Sequence, residues 1–282
     1  MCATCGCSDE SGVTVTDLDA PARAHPHDHP PGSERDHDHD HVREHDRKTD
    51  IHQDRLIQLE QQVLAKNDLL AERNRGWLDA RETLAINLMS SPGSGKTTLL
   101  ERTIRDTGDD LSISVIEGDQ ATFLDADRIK ATGCRVVQVN TGAGCHLDAD
   151  MVRRALRTLD PPIGSVVVVE NVGNLVCPAL FDLGETARVV VMSVTEGADK
   201  PLKYPHMFRT ADLVLLNKVD LLPYVDFDVT AFATAVRNLK PDATICEVSA
   251  TKGDGMDAWY GWLRGQTGGQ PSHVVRQSKT RA

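Results

Sequence analysis

The segment SSPGSGKTTLLE, from Ser90 to Glu101, follows directly on the β-rich run TLAINLM of residues 83–89. A strand that runs into a glycine-rich loop and then into a helix is typical of phosphate binding, because the backbone N–H groups of the loop converge at the helix N-terminus. The full phosphate-loop pattern has a glycine where this chain has Ser90, but GSGKT is intact. The segment therefore predicts a P-loop nucleotide-binding domain. A glycine-rich turn without a ligand is the weaker interpretation, since strand, loop and helix occur in the required order.

The side chains of this loop have predicted roles that follow from their chemistry. Lys96 is expected to reach the outer phosphates of the nucleotide, and the hydroxyl group of Thr97 is expected to face Mg²⁺. Backbone N–H groups of the loop would surround the phosphates. The predicted phosphate-binding residues are Gly93, Ser94, Gly95, Lys96, Thr97 and Thr98.

Short β-rich runs alternate with helical stretches along the rest of the chain. Several of these runs are apolar without alternation, which is typical of strands that are covered on both faces. We therefore expect an α/β fold of the P-loop NTPase type, with a mostly parallel sheet of about seven strands and helices on both faces. The predicted strands lie in TLAINLM, LSISVIE, RVVQVN, SVVVVEN, RVVVMSV, DLVLLNK and ATICEVS.

Composition divides the chain into four segments. Residues 1–50 are rich in Pro, Asp and His and carry too few aliphatic side chains to offset the entropy of ordering, so we expect them to be a disordered, metal-binding arm. Apolar residues recur at helical spacing from Leu56 to Trp77 and predict a helical extension over 51–82. We expect the nucleotide-binding domain to cover 83–264 and a flexible tail to cover 265–282.

Charge and hydropathy exclude several classes of partner. The 282 residues carry a formal net charge of -11, which argues against a nucleic-acid partner. No run approaches the roughly 18 apolar residues of a membrane span, and the N-terminus lacks the features of a signal peptide. We expect a cytoplasmic protein, in which the seven cysteines are metal ligands, reactive thiols or core groups rather than disulfides.

The tetrapeptide NKVD, residues 217–220, follows a later apolar strand and favours guanine over adenine. The carboxylate of Asp220 can accept hydrogen bonds from a ring N–H and an amino group, which guanine has and adenine lacks. Asn217 would frame the same purine edge, and Lys218 would lie over the base. The segment VSATKG ends the last strand, where Ser249 and Ala250 would complete the pocket. These residues predict that the nucleotide is GTP or GDP.

Two acidic residues are predicted to complete the catalytic site. Asp119, in IEGDQ, ends a strand where a carboxylate linked to Mg²⁺ would be useful, and Glu170, in VVVVENVGN, ends another strand. The backbone N–H of Gly173 would contact the γ-phosphate, so that this segment would reorder on hydrolysis. The alternative for each acid is a solvated loop residue.

Cys145 and His146 follow one predicted strand, and Cys177 follows another. Because ligands of open parallel sheets collect at the carboxyl ends of the strands, all three side chains would share the edge that binds the nucleotide. Thiolate and imidazole suit Zn²⁺ and are tolerated by Ni²⁺. Two incidental thiols and a surface histidine are an equally weighted alternative. Three ligands leave a tetrahedral site open, either for an exchangeable ligand or for a second copy of the chain.

The N-terminal segment predicts a second metal site. Cys2, Cys5 and Cys7 lie close together in MCATCGC, and seven histidines follow between His25 and His45. A redox Cys-x-x-Cys would normally open a helix of a thioredoxin-like fold, which this polar segment lacks. An affinity tag is disfavoured because the histidines are irregularly spaced and interleaved with Asp.

Taken together, these motifs resemble the HypB family, the GTPases that incorporate nickel during the maturation of NiFe hydrogenase. The resemblance runs from the N-terminal CxxCGC through SSPGSGKTTLLE, EGDQ, TGAGCHLDADMV, ENVGNLVCPA and EGADKPLKYP to NKVD. It implies GTP hydrolysis, a GTP-dependent homodimer, a tight nickel site at the three N-terminal cysteines, and a zinc or nickel site at the dimer interface. It also implies two partners, a maturation scaffold protein and the hydrogenase large-subunit precursor.

Two other functions stay open at this point. The first is a nickel or zinc storage protein whose nucleotide site is only regulatory. The second is an ATP-dependent small-molecule kinase, which NKVD disfavours.

Overall fold

The computed structural model describes residues 14–18, 47–108, 110–119, 124–142 and 144–267. In this part of the chain, eight strands form one sheet in the order β1-β4-β3-β5-β2-β6-β7-β8. All neighbouring strands are parallel except β1, which pairs antiparallel with β4. The strands are β1 (Thr14–Asp17), β2 (Leu84–Ser90), β3 (Ile113–Asp119), β4 (Arg135–Asn140), β5 (Val166–Glu170), β6 (Ala187–Ser193), β7 (Leu213–Asn217) and β8 (Thr244–Glu247).

Helices cover both faces of the sheet. On one face, apolar side chains of the strands pack against α2, α3 and α9. On the other face, α1 and α4 cover β3 to β5, and α7 and α8 cover β6 and β7. The helices are α1 (Arg47–Asp79), α2 (Lys96–Thr107), α3 (Leu124–Lys130), α4 (Ala149–Leu159), α5 (Cys177–Leu180), α6 (Lys200–Lys203), α7 (Pro205–Thr210), α8 (Val229–Leu239) and α9 (Met256–Gln266), with a 3₁₀ turn at Val219–Tyr224.

The expected fold class is confirmed, because the seven apolar runs form β2 to β8 in one sheet with helices on both faces. The central strands β2, β5 and β7 are buried along their whole length, whereas the edge strand β8 is only partly buried. The structure differs from the sequence-based expectation at β1, which lies inside the segment expected to be disordered. This strand completes its backbone hydrogen bonds on the free edge of β4, and Val15 and Leu18 pack against the two faces of the core. A short edge strand needs little apolar surface, since the ladder supplies most of its contacts.

The N-terminal helix is longer than expected at its start and fixes the beginning of α4. It begins at Arg47, whereas the predicted extension begins at 51. Buried Asn67 accepts a hydrogen bond from the Ala149 N–H at 2.9 Å. Asn74 donates to the carbonyl oxygens of Ala149 at 2.8 Å and Leu183 at 2.9 Å. At the other end of the domain, α9 continues to Gln266, two residues into the predicted tail.

None of the helices in the described ranges is both long enough and apolar enough to cross a membrane.

The turn before α9 supports a prediction about stability. Gly255 has a φ of 67°, and a Cβ atom there would overlap the carbonyl oxygen of Glu247. We expect Gly255→Ala to lower the free energy of unfolding by about 2 to 4 kcal/mol, because the strained turn would have to move away from β8. The matched control is Gly261→Ala in α9, where a Cβ has open space and where alanine stabilises a helix by about 1 kcal/mol relative to glycine. Urea unfolding of both variants tests this, and equal midpoints would contradict it.

Candidate nucleotide and metal site

A cavity of about 540 Å³ lies at the carboxyl edge of the parallel strands. The P-loop forms one wall, and the segments that follow β3 and β5 form the other. Most of the predicted phosphate, magnesium and catalytic residues are brought together here. The cavity is lined by Pro92, Gly93, Gly95, Lys96, Thr97, Thr98, Asp119, Asp125, Arg128, Glu170, Val172, Gly173 and Lys218.

The P-loop turns sharply because two glycines adopt left-handed backbone conformations. Gly93 has a φ of 74° and Gly95 a φ of 96°. A Cβ atom on Gly95 would lie 2.6 Å from the side-chain nitrogen of Asn217, so any other residue would push this asparagine away. Helix α2 begins at the next residue, and no side chain caps its first turn. The N–H groups of this turn can therefore bind an anionic ligand.

Lys96 is held at the base of the loop by Ser90. Its ammonium group donates a hydrogen bond to Ser90 Oγ at 2.7 Å. Burial lowers the pKa of Lys96, and the carboxylates of Glu170 and Asp125 oppose this shift. Ser90, which stands where the phosphate-loop pattern has a glycine, is fully buried and supplies the acceptor that keeps this cation in the loop.

Two buried carboxyl groups face each other across neighbouring strands. Glu170 on β5 and Glu117 on β3 are paired in register, and Thr97 Oγ1 donates to Glu170 Oε1 at 2.6 Å. Burial raises the pKa of Glu117 to about 9, and repulsion from Glu170 contributes to this shift. Burial also raises the pKa of Glu170, and the nearby Lys96 and the hydrogen bond from Thr97 oppose that shift. The second carboxyl oxygen of each has no hydrogen-bond partner. With Asp119 beside them, these oxygens fit a hard cation such as Mg²⁺.

Sequence reasoning missed Glu117, Asp125 and Arg128. Arg128 donates to Glu101 Oε2 at 2.6 Å, to Thr98 Oγ1 at 3.1 Å and to Asp125 Oδ1 at 3.1 Å, and so ties α3 to the P-loop helix. Two features of the sequence could have identified these residues. They are the glutamate within the apolar run SVIEGD and the acidic and basic residues of LDADRIK.

The predicted base-binding residues form a connected group beside the P-loop. Asn217 is buried; its amide nitrogen donates to the Ser94 carbonyl at 2.9 Å, and its amide oxygen accepts from the Ala250 N–H at 3.1 Å. Ser249 Oγ donates to the Asp220 carboxylate at 2.6 Å. Lys218 donates to the Gly93 carbonyl at 2.7 Å. Asn217 therefore joins the phosphate loop to the base loop, while Ser249 fixes the carboxylate of Asp220.

Cys145, His146 and Cys177 lie together at the same edge of the sheet. Their ligand atoms are all within 4.8 Å of one another, and the two sulfur atoms are 3.1 Å apart. The Phe181 ring packs against the imidazole at a centroid distance of 4.0 Å, with the two ring planes tilted by 32°. Burial lowers the pKa of His146, which favours the neutral imidazole that binds metals. Two thiols and an imidazole at this spacing can hold a borderline ion such as Zn²⁺ or Ni²⁺.

The other predicted metal ligands cannot be placed. Cys2, Cys5, Cys7 and the seven histidines from His25 to His45 lie outside the described residues.

The chain is similar to a known family of nucleotide-binding proteins. Residues 84–247 match the family model described as "CobW/HypB/UreG, nucleotide-binding domain". The hydrogenase maturation factor HypB of Escherichia coli K12 is 56% identical over 214 residues, which cover 76% of this chain and 74% of that protein.

Two solved structures have the same fold. The HypB structure from Archaeoglobus fulgidus has a TM-score of 0.68 and 42% identity, covering 72% of this chain and all of that one. HypB from Helicobacter pylori, solved in complex with nickel, has a TM-score of 0.68 and 37% identity, covering 74% of this chain and 99% of that one. The chain therefore belongs to the HypB family of hydrogenase maturation factors, within the CobW/HypB/UreG group of nucleotide-binding domains.

Proposed function

We propose that this protein is a GTP-hydrolysing nickel metallochaperone that delivers Ni²⁺ to the precursor of the NiFe hydrogenase large subunit. The observation that carries the proposal is the position of the cluster of Cys145, His146 and Cys177 at the same sheet edge as the P-loop cavity. Cys177 lies four residues after Gly173, which lines that cavity. A change around the γ-phosphate therefore has a short covalent path to a metal ligand. The relatives named above support the link to hydrogenase maturation and to nickel.

In this proposal the P-loop binds the phosphates of GTP. Lys96 reaches the outer phosphates, the loop N–H groups surround them, and the Gly173 N–H contacts the γ-phosphate. Thr97 and Asp119 would hold Mg²⁺, with Glu170 positioned by Thr97. Mg²⁺, when bound, would neutralise charge on the phosphates.

The cargo would be Ni²⁺ held by the thiolates of Cys145 and Cys177 and the imidazole of His146, and Zn²⁺ suits the same donors. Val176 and Leu180, on either side of Cys177, are 42% and 46% exposed. Exposed apolar side chains around a three-ligand site favour a second copy of the chain as the group that covers it. We therefore propose a homodimer that forms when GTP binds, and association state with GTP or GDP, measured by light scattering, tests it.

The N-terminal cysteines are proposed to collect nickel for this site. Strand β1 pairs Thr14 with Asn140, so the chain enters the sheet at the metal-binding edge. The seven residues from Cys7 to Thr14 can span at most about 25 Å. The proposed partners that receive or exchange the metal are a maturation scaffold protein and the large-subunit precursor.

The central test compares the nickel dissociation constant of the protein with GTP and with GDP bound. A nucleotide shifts metal binding only through a difference in affinity between the two states. We expect Ni²⁺ to bind more weakly after hydrolysis, and equal constants would contradict the coupling.

A storage protein with a regulatory nucleotide site is the alternative. Replacing Cys2, Cys5 and Cys7 with serine and the seven histidines from His25 to His45 with asparagine distinguishes the two functions while leaving β1 in place. A store would lose most of its function, whereas a delivery GTPase would still support hydrogenase maturation when nickel is plentiful.

Base specificity gives a further prediction. We expect Asp220→Asn to weaken GTP binding about 10- to 100-fold, because the carboxylate that accepts from two N–H groups of guanine is lost. Binding of xanthosine triphosphate should rise instead, since the new amide can donate to the carbonyl oxygen that xanthine carries there. Competition for a fluorescent GTP analogue measures both affinities, and an unchanged preference for GTP would contradict the role of Asp220. Asp226→Asn, in the following turn, is the control.

A further inference from the structure

We infer that Asn171 is the positioning residue that couples the nucleotide site to the metal cluster, an inference that rests on the proposed function. Asn171 follows Glu170 directly and is 1% exposed. Its amide oxygen accepts hydrogen bonds from the Leu147 N–H at 3.2 Å and from the Val172 N–H at 3.0 Å. One buried oxygen thus holds two segments of backbone.

These two segments belong to the two different sites. Leu147 is the residue after His146, so its N–H moves together with the loop that carries the two metal ligands Cys145 and His146. Val172 lines the nucleotide cavity and precedes Gly173. A shift of the backbone at Val172 would therefore either move the Leu147 N–H or break a buried hydrogen bond, and an unpaired buried group is costly.

A second chain of hydrogen bonds leads from Asn171 to the other half of the metal cluster. The Asn171 amide donates to Asn87 Oδ1 at 3.2 Å, and the Asn87 amide donates to Glu185 Oε1 at 3.2 Å. Arg188 donates to the same Glu185 oxygen at 2.7 Å and to the Ala179 carbonyl at 3.4 Å. Ala179 lies in α5, the helix that begins with the third metal ligand.

The metal loop is also fixed to the segment that carries Asp119. The Leu147 side chain is fully buried and packs on Gly118, where a Cβ atom would lie 2.8 Å from Leu147 Cδ1. The Thr141 N–H donates to the Asp119 carbonyl at 3.0 Å. This side of the loop is held by packing. Its hydrogen bonds to the segment after β5 are the one from the Leu147 N–H to Asn171 at 3.2 Å and a longer one from the Asn174 amide to the Cys145 carbonyl at 3.4 Å. Of these two, the bond to Asn171 is the shorter and has a buried acceptor.

The test measures nickel affinity in two nucleotide states. The full chain carries Cys2→Ser, Cys5→Ser and Cys7→Ser. Nickel–thiolate charge-transfer absorption then measures only nickel bound to the inner cluster, which is Cys145, His146 and Cys177. Nickel bound to histidines alone gives no such absorption. The dissociation constant of Ni²⁺ is measured with GTPγS and with GDP. In this parent we expect the two constants to differ at least about fivefold, within the usual range of coupling between sites.

The decisive variant is Asn171→Ala. We expect the ratio of the two nickel constants to fall below about twofold, since the N–H groups of Leu147 and Val172 would no longer share an acceptor. The matched control is Asn74→Ala, which removes another buried asparagine near the metal loop whose two hydrogen bonds go to the carbonyl oxygens of Ala149 and Leu183. This control should lose thermal stability and keep the parent ratio.

The outcomes separate the inference from the proposed function. No difference between nucleotides in the parent would overturn both the coupling and the role of Asn171. A parent difference that survives in Asn171→Ala would overturn the role of Asn171 alone, as would an equal reduction in Asn74→Ala. If Asn171→Ala does not fold, Asn87→Ala is measured in the same way, because it removes the group that orients the Asn171 amide. A reduced ratio supports the inference and an unchanged ratio overturns it.

Discussion

Replacing Lys96 with alanine is expected to lower the rate of GTP hydrolysis by at least about 1000-fold. Loss of a single neutral donor from a transition-state site costs about 100- to 1000-fold in rate, and a protonated Lys96 would bring a full positive charge to the phosphates. Burial already lowers the pKa of this lysine, and the nearby carboxyl groups alone do not offset that shift. Phosphates would supply the missing negative charge, so the cation should interact strongly with them.

Single-turnover hydrolysis of radiolabelled GTP measures this effect, because intrinsic rates of related enzymes are only about 10⁻⁴ to 10⁻² per second. The control is Lys240→Ala, since this lysine donates to the Ala211 carbonyl at 2.7 Å and belongs to a different part of the domain. Nickel binding by the N-terminal cysteines should persist in Lys96→Ala. Loss of that binding together with hydrolysis would indicate misfolding, and a rate within tenfold of the parent would contradict the role of Lys96.

Most of the sheet was predictable because its central strands are buried on both faces. A run such as Val166–Glu170 does not alternate between apolar and polar residues, so its consecutive valines indicate a strand that is covered on both faces. Strand β1 was not predictable for the opposite reason. The segment TVTD is short and polar, and it forms a strand only because the edge of β4 offers unpaired backbone groups. That edge is a property of the folded sheet and leaves no mark on residues 14–17.

The loop residues of the site were predictable from short motifs, while the groups that support them were not. The roles of Lys96, Thr97 and the NKVD segment follow from the residue types and from their spacing along the chain, and both are visible in the sequence. Glu117 matters because the register of β3 and β5 places it opposite Glu170, and register is set by long-range pairing. Asn171 stood within a quoted motif, but its hydrogen-bond partners Leu147 and Asn87 are 24 and 84 residues away.

Replacing Cys145 with serine is expected to weaken nickel binding at the inner cluster by more than about 100-fold. Loss of a residue that only supports a metal ligand costs about 10- to 100-fold in affinity, and loss of a ligand should exceed this. Serine also has no thiolate at neutral pH, so both the charge and the soft donor disappear. The two sulfur atoms lie 3.1 Å apart, which allows them to bind one ion together, and Cys177→Ser should therefore give the same loss.

Titration of nickel against the charge-transfer band, in chains whose N-terminal cysteines are serine, measures this affinity. The matched control is Cys246→Ser on β8, a partly buried thiol whose pKa burial raises; among the described residues it belongs to no group of metal-binding side chains. GTP hydrolysis gives the second readout. If Cys145, His146 and Cys177 hold nickel as cargo and take no part in hydrolysis, Cys145→Ser should retain the basal hydrolysis rate. A variant that loses hydrolysis while binding nickel normally would reverse the assignment of the two sites.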